Sequence, residues 1–108
     1  MDLLRGTLDL LILDTLSWGA MHGLAITRRI EDATHERLQV EEGALYPALH
    51  RMESKGWLDA EWGYTDRGRR AKFYRLTPAG RRQLVSERTR WAEYADVVAL
   101  VLAASGAL

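Results

Sequence analysis

Residues 40–76 read VEEGALYPALHRMESKGWLDAEWGYTDRGRRAKFYRL, and the architecture follows from how this stretch divides. Its first part sets Leu45, Leu49 and Met52 at helical spacing. One face of a helix over residues 42–55 can therefore enter a core while Tyr46, Pro47, His50, Arg51 and Lys55 lie elsewhere. Pro47 belongs in the first turn or so, where a missing N–H is tolerated. Tyr46 and Pro47 then sit near the exposed N-terminal end, the end that normally enters a major groove. Gly56 stops the helix. The remainder holds two β-prone, aromatic-rich runs around a Gly, Asp and Arg cluster, which is a hairpin signal. Leu58, Ala60 and Trp62 alternate on the first run; on the second, Tyr74 shares its face with Lys72 and Leu76. A helix leading into a hairpin with Arg67, Arg69, Arg70 and Lys72 at its tip has the form of the contacting half of a winged helix-turn-helix. The expected fold is mainly α with a small β-hairpin (α+β).

On the N-terminal side, Leu4, Leu8, Leu11, Ile12 and Leu16 form a broad stripe that predicts a helix over residues 3–17. Leu10 and Leu13 fall off that stripe, so cover on two sides is expected. Asp2 precedes this apolar run, Asp9 and Asp14 interrupt it, and no small-residue cleavage site follows, which is the pattern of a buried amphipathic helix rather than a signal peptide. A second helix over residues 23–33 carries Ile26, Ile30 and Ala33 inward and Arg28 and Arg29 outward. His22 stands at its start, where it can cap the helix or join a phosphate contact at the positive helix end.

On the C-terminal side, Thr77 and Pro78 are an N-cap followed by a first-turn proline, opening a helix to about residue 104. Leu84, Trp91 and Val98 recur every seven residues, with Ala95 and Leu102 four beyond two of them and Arg88 as the break. An apolar stripe on a terminal helix calls for a partner, and a second copy of the chain is the simplest one. Leu4, Leu84, Trp91, Ala95, Val98 and Leu102 are the candidate dimer residues. Two units follow: 1–77, the winged helix-turn-helix, and 78–108, the dimerisation helix.

Composition narrows the function. The 108 residues contain no cysteine, which excludes disulfides and thiolate chemistry. No run approaches membrane-spanning length, and a cytoplasmic location is expected. Fifteen basic residues balance fifteen acidic ones, against a protein that coats nucleic acid through bulk charge. The distribution is local instead: Arg67, Arg69, Arg70, Lys72 and Arg75 face only Asp66 in their ten-residue stretch, whereas Glu31, Asp32, Glu36, Glu41 and Glu42 cluster earlier. Catalysis has no foothold, because His22, His35 and His50 lack ligand spacing and no metalloprotease, P-loop or nucleotide-binding pattern occurs. No cofactor is expected.

LRGTLDLLILDTL, MHGLAITRRI, EEGALYPALHRMESKGWL and GRRAKFYRLTPAGRRQL together resemble the PadR family of bacterial winged-helix transcriptional regulators over nearly the whole chain. LYPALHRMESKG and YRLTPAG are the most specific blocks. The resemblance implies a homodimeric repressor of operator DNA, with the single terminal helix as dimerisation arm, as in the smaller branch of the family. Carried over by position, it places Tyr46, Pro47, His50, Arg51 and Lys55 on the recognition helix and Arg67, Arg69, Arg70 and Lys72 on the wing. The family usually has threonine where this chain has Ala44 and tyrosine where it has Leu24, so one hydroxyl contact is missing at each place. Some members bind small aromatic compounds between subunits on a tryptophan of the terminal helix. Trp91 either takes that role, with Leu8, Ile12, Ala95 and Val98 as walls, or simply fills the dimer core.

Two twofold-related recognition helices would meet successive major grooves, so the operator should be an inverted repeat with roughly 10 bp between half-site centres. Arg51 and His50 would read base edges and the wing cations would hold phosphates. A winged helix that binds protein instead of DNA is the alternative, favoured by the zero net charge.

Overall fold

Gly6 adopts a φ of +85°, a left-handed backbone that interrupts a right-handed helix. The first helix, α1, accordingly spans only Leu8–Leu16 rather than residues 3–17. The computed structural model describes residues 1, 3 and 6–106; Leu4, expected at the dimer seam, lies outside the described residues. On α1 the residues Ile12, Leu13 and Leu16 are fully enclosed. Leu13, expected off the core stripe, has 0% exposure, because α1 is covered on two sides and its apolar arc is wider than one stripe. Leu10 turns toward the terminal helix.

Met21–His22 forms a two-residue strand, β1, where only a lead-in to the next helix was expected. It pairs antiparallel with the second hairpin strand, Met21 opposite Tyr74 and His22 opposite Phe73. The second helix, α2, is Gly23–Ala33, with Ile26 and Ile30 buried as their spacing requires. In the connection that follows, the Thr34 hydroxyl donates to the Ile30 carbonyl at 2.9 Å and accepts from the Leu38 N–H at 3.2 Å, which folds the loop back onto the helix end.

The third helix, α3, covers Glu42–Ser54 and buries Leu45, Ala48, Leu49 and Met52. Leu45 and Leu49 are essentially inaccessible, and burying each contributes on the order of 2 kcal/mol. Pro47 lies in the second turn, later than its usual first-turn place. Both Pro47 and Gly43, the residue whose carbonyl loses its N–H partner, are exposed, so water can satisfy that oxygen. Gly56, at φ +79°, ends the helix: its N–H donates to the Glu53 carbonyl at 3.0 Å and the Trp57 N–H to the Met52 carbonyl at 3.0 Å. These two bonds are a Schellman closure.

The hairpin strands β2 (Leu58–Tyr64) and β3 (Arg70–Leu76) complete a three-stranded antiparallel sheet of order β1-β3-β2. Leu58 lies opposite Leu76, Ala60 opposite Tyr74 and Trp62 opposite Lys72, which brings the two alternating sets onto one face of the sheet. That face supplies Leu58, Tyr74 and Leu76 to the core and runs out to the wet tip at Trp62.

Thr77 then caps the last helix, α4, Pro78–Gly106; its hydroxyl accepts from the Gly80 N–H at 3.0 Å and donates to the Gly56 carbonyl at 2.6 Å. The single cap thus ties the end of α3 to the start of α4. Gly80 has no room for a side chain: a Cβ there would lie 2.0 Å from the Trp57 carbonyl oxygen. Leu84, expected at the dimer seam, is instead 6% exposed in the core of its own chain, because the first two turns of α4 lie against the sheet and α1. Arg88, the break in the heptad pattern, pairs with Asp14 of α1. Beyond it, every described residue of α4 is exposed.

Candidate nucleic-acid interface

With 3.6 residues per turn, the face of α3 opposite Leu45, Leu49 and Met52 presents Gly43, Pro47, His50 and Ser54, all exposed. Tyr46 and Arg51 lie on its two flanks. The Tyr46 ring packs on the start of α2, where a Cβ on Gly23 would meet its ring and hydroxyl at 2.8–2.9 Å. This close approach accounts for the glycine of the MHG block. The His22 ring also stays with the protein: its Nδ1 accepts from the Ala25 N–H at 3.4 Å, and it forms a T-shaped pair with Phe73, ring centroids 5.3 Å apart. It is a helix cap packed on the sheet.

Of the expected cations, several have intramolecular partners. The Arg51 Nη1 and Nη2 groups donate to the two carboxylate oxygens of Asp9, each at 2.7 Å. Those hydrogen bonds raise the Arg51 pKa, partial desolvation opposes the rise, and the charge of Asp9 adds to it. Lys72 donates to Glu53 at the end of α3 at 3.0 Å, which chiefly raises its pKa and fastens the wing to the helix. Burial raises the pKa of the neighbouring Tyr74 phenol. Lys55 lies over the Trp57 ring at 4.7 Å and Arg70 over Trp62 at 4.7 Å.

Arg67 and Arg69 differ. They occupy the turn between β2 and β3, which is closed by the Thr65 N–H to Arg69 carbonyl bond at 2.8 Å and by Gly68 at φ +76°. Among the described residues neither side chain makes an ion pair. Ala44, Pro47 and Ala48 line a shallow concavity with Leu8, Asp9 and Arg51, so Ala44 lies on the α1 flank of α3 rather than on the outermost stripe. The spacing signals had not singled out Gly43, Ser54 or Asp9. A carboxylate set within the leucine run of α1 is the signal that marks Asp9.

A second concavity of about 930 Å³ runs between α1 and the far half of α4, lined by Leu10, Trp91, Tyr94, Val97, Val98 and Val101 among others. Trp91 is 43% exposed, and its ring lies parallel to that of Tyr94 at 6.4 Å. Three of the walls expected for Trp91 belong elsewhere. Ile12 is sealed in the core, Leu8 lines the concavity beside Pro47, and Ala95 does not line the groove. The groove keeps the seven-residue repeat of Trp91 and Val98 but takes its second series three residues after each, at Tyr94 and Val101, rather than four after Trp91, at Ala95.

A helix pair with a short sheet, a cationic hairpin tip and a long projecting helix is the winged helix-turn-helix plan. Comparison with known proteins identifies its kind. A family model described as the transcriptional regulator PadR-like family matches residues 12–86. A transcriptional regulator of Mycobacterium tuberculosis is 36% identical over 94 residues, covering 87% of this chain and 84% of that protein. Among solved structures, a transcriptional regulator from Clostridium thermocellum superposes with a TM-score of 0.80 at 30% identity, covering 87% of this chain and 91% of that one. A PadR family regulator from Eggerthella lenta gives 0.78 at 33% identity, covering 91% and 83%. The chain belongs to the PadR-like family of transcriptional regulators, which are not enzymes. No helix among the described residues is long and apolar enough to cross a membrane.

Proposed function

We propose that the chain is a cytoplasmic, homodimeric repressor that binds an inverted-repeat operator in double-stranded DNA. Residues 1–77 form the reading unit and residues 78–108 the dimer arm. The observation that carries this reading is the pairing of an exposed α3 stripe with a wing tip whose Arg67 and Arg69 have no ion pair among the described residues. His50 is the side chain on that stripe suited to base edges. Arg67 and Arg69 supply the phosphate contacts, with Arg70 and Lys55, held on aromatic faces, beside them. The arm is supported by the exposed apolar side chains Trp91, Tyr94, Val97, Val98, Val101 and Leu102, which in water need a covering surface. A twofold partner covers them with their own equivalents. The groove beside Trp91 and Tyr94 suits a flat aromatic or hydrophobic effector, whose binding between the arms would respace the two recognition helices.

The test is fluorescence anisotropy of a labelled duplex from upstream of the protein's own gene, titrated at several salt concentrations beside a scrambled duplex. Tight binding that prefers the native duplex and falls steeply with salt supports the repressor. Replacing Arg67 and Arg69 by alanine removes up to four phosphate contacts per dimer and should flatten the salt slope by roughly 3 to 4. A wild-type slope near zero, with equal weak binding to both duplexes, would leave the protein-binding winged helix as the better reading.

A further inference from the structure

We propose that Asp9 is a specificity-determining residue: by taking both Nη groups of Arg51 it withholds from the half-site the guanine that a free arginine at this point of α3 would select. This assignment rests on the DNA-binding reading. Arginine reads guanine by presenting two N–H donors to O6 and N7 at once. In this chain the end-on fork of Arg51 is filled, with Nη1 and Nη2 each 2.7 Å from a different oxygen of Asp9. The pair lies in the concavity between α1 and α3 with Leu8, Ala44 and Ala48, to one side of the Gly43, Pro47, His50 and Ser54 stripe. The guanidinium is thus drawn toward α1.

Exposure decides which partner wins. The Asp9 side chain is 20% exposed against 47% for Arg51. If Arg51 swung out to a base, it would leave a largely covered carboxylate without its countercharge, beside a wall of guanine acceptors and phosphates. A fixed bidentate pair holds better than one that must be broken for each binding event. From α1, Asp9 therefore positions Arg51 of α3, and the half-site is read by His50 and its neighbours on the stripe.

The measurement is selection of bound duplexes from a randomised pool, by the full-length wild type, Arg51→Ala, Asp9→Ala, Asp9→Asn and the Asp9→Ala/Arg51→Ala double variant. The wild type and Arg51→Ala should select the same half-site. Asp9→Ala should add one guanine per half-site, preferred by roughly 5- to 150-fold over the other bases, and the double variant should lose it. Asp9→Asn, which keeps the side-chain shape, repeats the readout if circular dichroism shows Asp9→Ala unfolded. A base position lost in Arg51→Ala would overturn the assignment, because Arg51 would then already be a reader. So would an Asp9 variant that folds and selects the wild-type half-site. A folded wild type that enriches no sequence would overturn the DNA-binding reading itself, and this assignment with it.

Discussion

The two halves of α4 share one apolar repeat, Leu84, Trp91 and Val98, and have opposite surroundings. In the first two turns, Gly80 lies against the Trp57 carbonyl and Leu84 is buried. Past Arg88, equally apolar residues such as Val97, Val101 and Leu102 are more than half exposed. Apolar spacing along a helix records that a face will be covered, but not by which chain. Leu84 and Val98 occupy equivalent places in one heptad pattern, yet only Leu84 is covered by the chain's own core.

The sharpest way to break this contrast is Gly80→Ala. With its Cβ 2.0 Å from backbone oxygen, and that oxygen accepting from the Thr77 N–H at 3.0 Å, neither partner is the loose end of a side chain that could move aside. The α3 to α4 junction must open, at an expected cost of roughly 3 kcal/mol or more, read as a fall in midpoint on urea denaturation. A loss below about 1 kcal/mol would mean that the near half is not locked. The far half should behave differently. Val98→Asp places a charge on the 39%-exposed edge of the groove and should leave the secondary structure of the isolated chain intact. Under the dimer reading, sedimentation equilibrium should show at least about a hundredfold weaker association, since an unpaired charge in an apolar interface costs on the order of 3 kcal/mol. Unchanged association would place the interface elsewhere.

The same contrast separates what could be read in the chain from what could not. The α2 bounds, the Gly56 stop, the alternation within each hairpin strand and the Thr77 cap rest on residues within a few positions of one another, where local sterics and hydrogen bonding act. The late start of α1 depends on Gly6 taking a positive φ, which glycine permits but does not announce. Strand β1 exists only because Tyr74 and Phe73, some fifty residues on, offer it an edge. The carboxylate that Arg51 pairs with, Asp9, is 42 positions away, beyond the reach of any local pattern. The fold was therefore more legible than the interface, whose members are set by contacts between distant elements.

The smallest expected effect sits at the boundary between the halves. Arg88 breaks the heptad, and its pairing with Asp14 gives the break a reason within the chain. Both side chains are open to water, 59% and 41% exposed, so the pair should add no more than about 1 kcal/mol. Arg88→Leu would complete the interleaved apolar series 88, 95 and 102 while removing that pair. If the interface begins at Trp91 and Arg88 marks its edge, the change should cost the chain under about 1 kcal/mol in urea and leave the dimer constant within roughly threefold. If the seam instead extends through position 88, a buried leucine there should strengthen association by tenfold or more, since its burial is worth on the order of 2 kcal/mol. Denaturation and sedimentation on the one variant therefore locate where the chain's own core ends and the surface left for a partner begins.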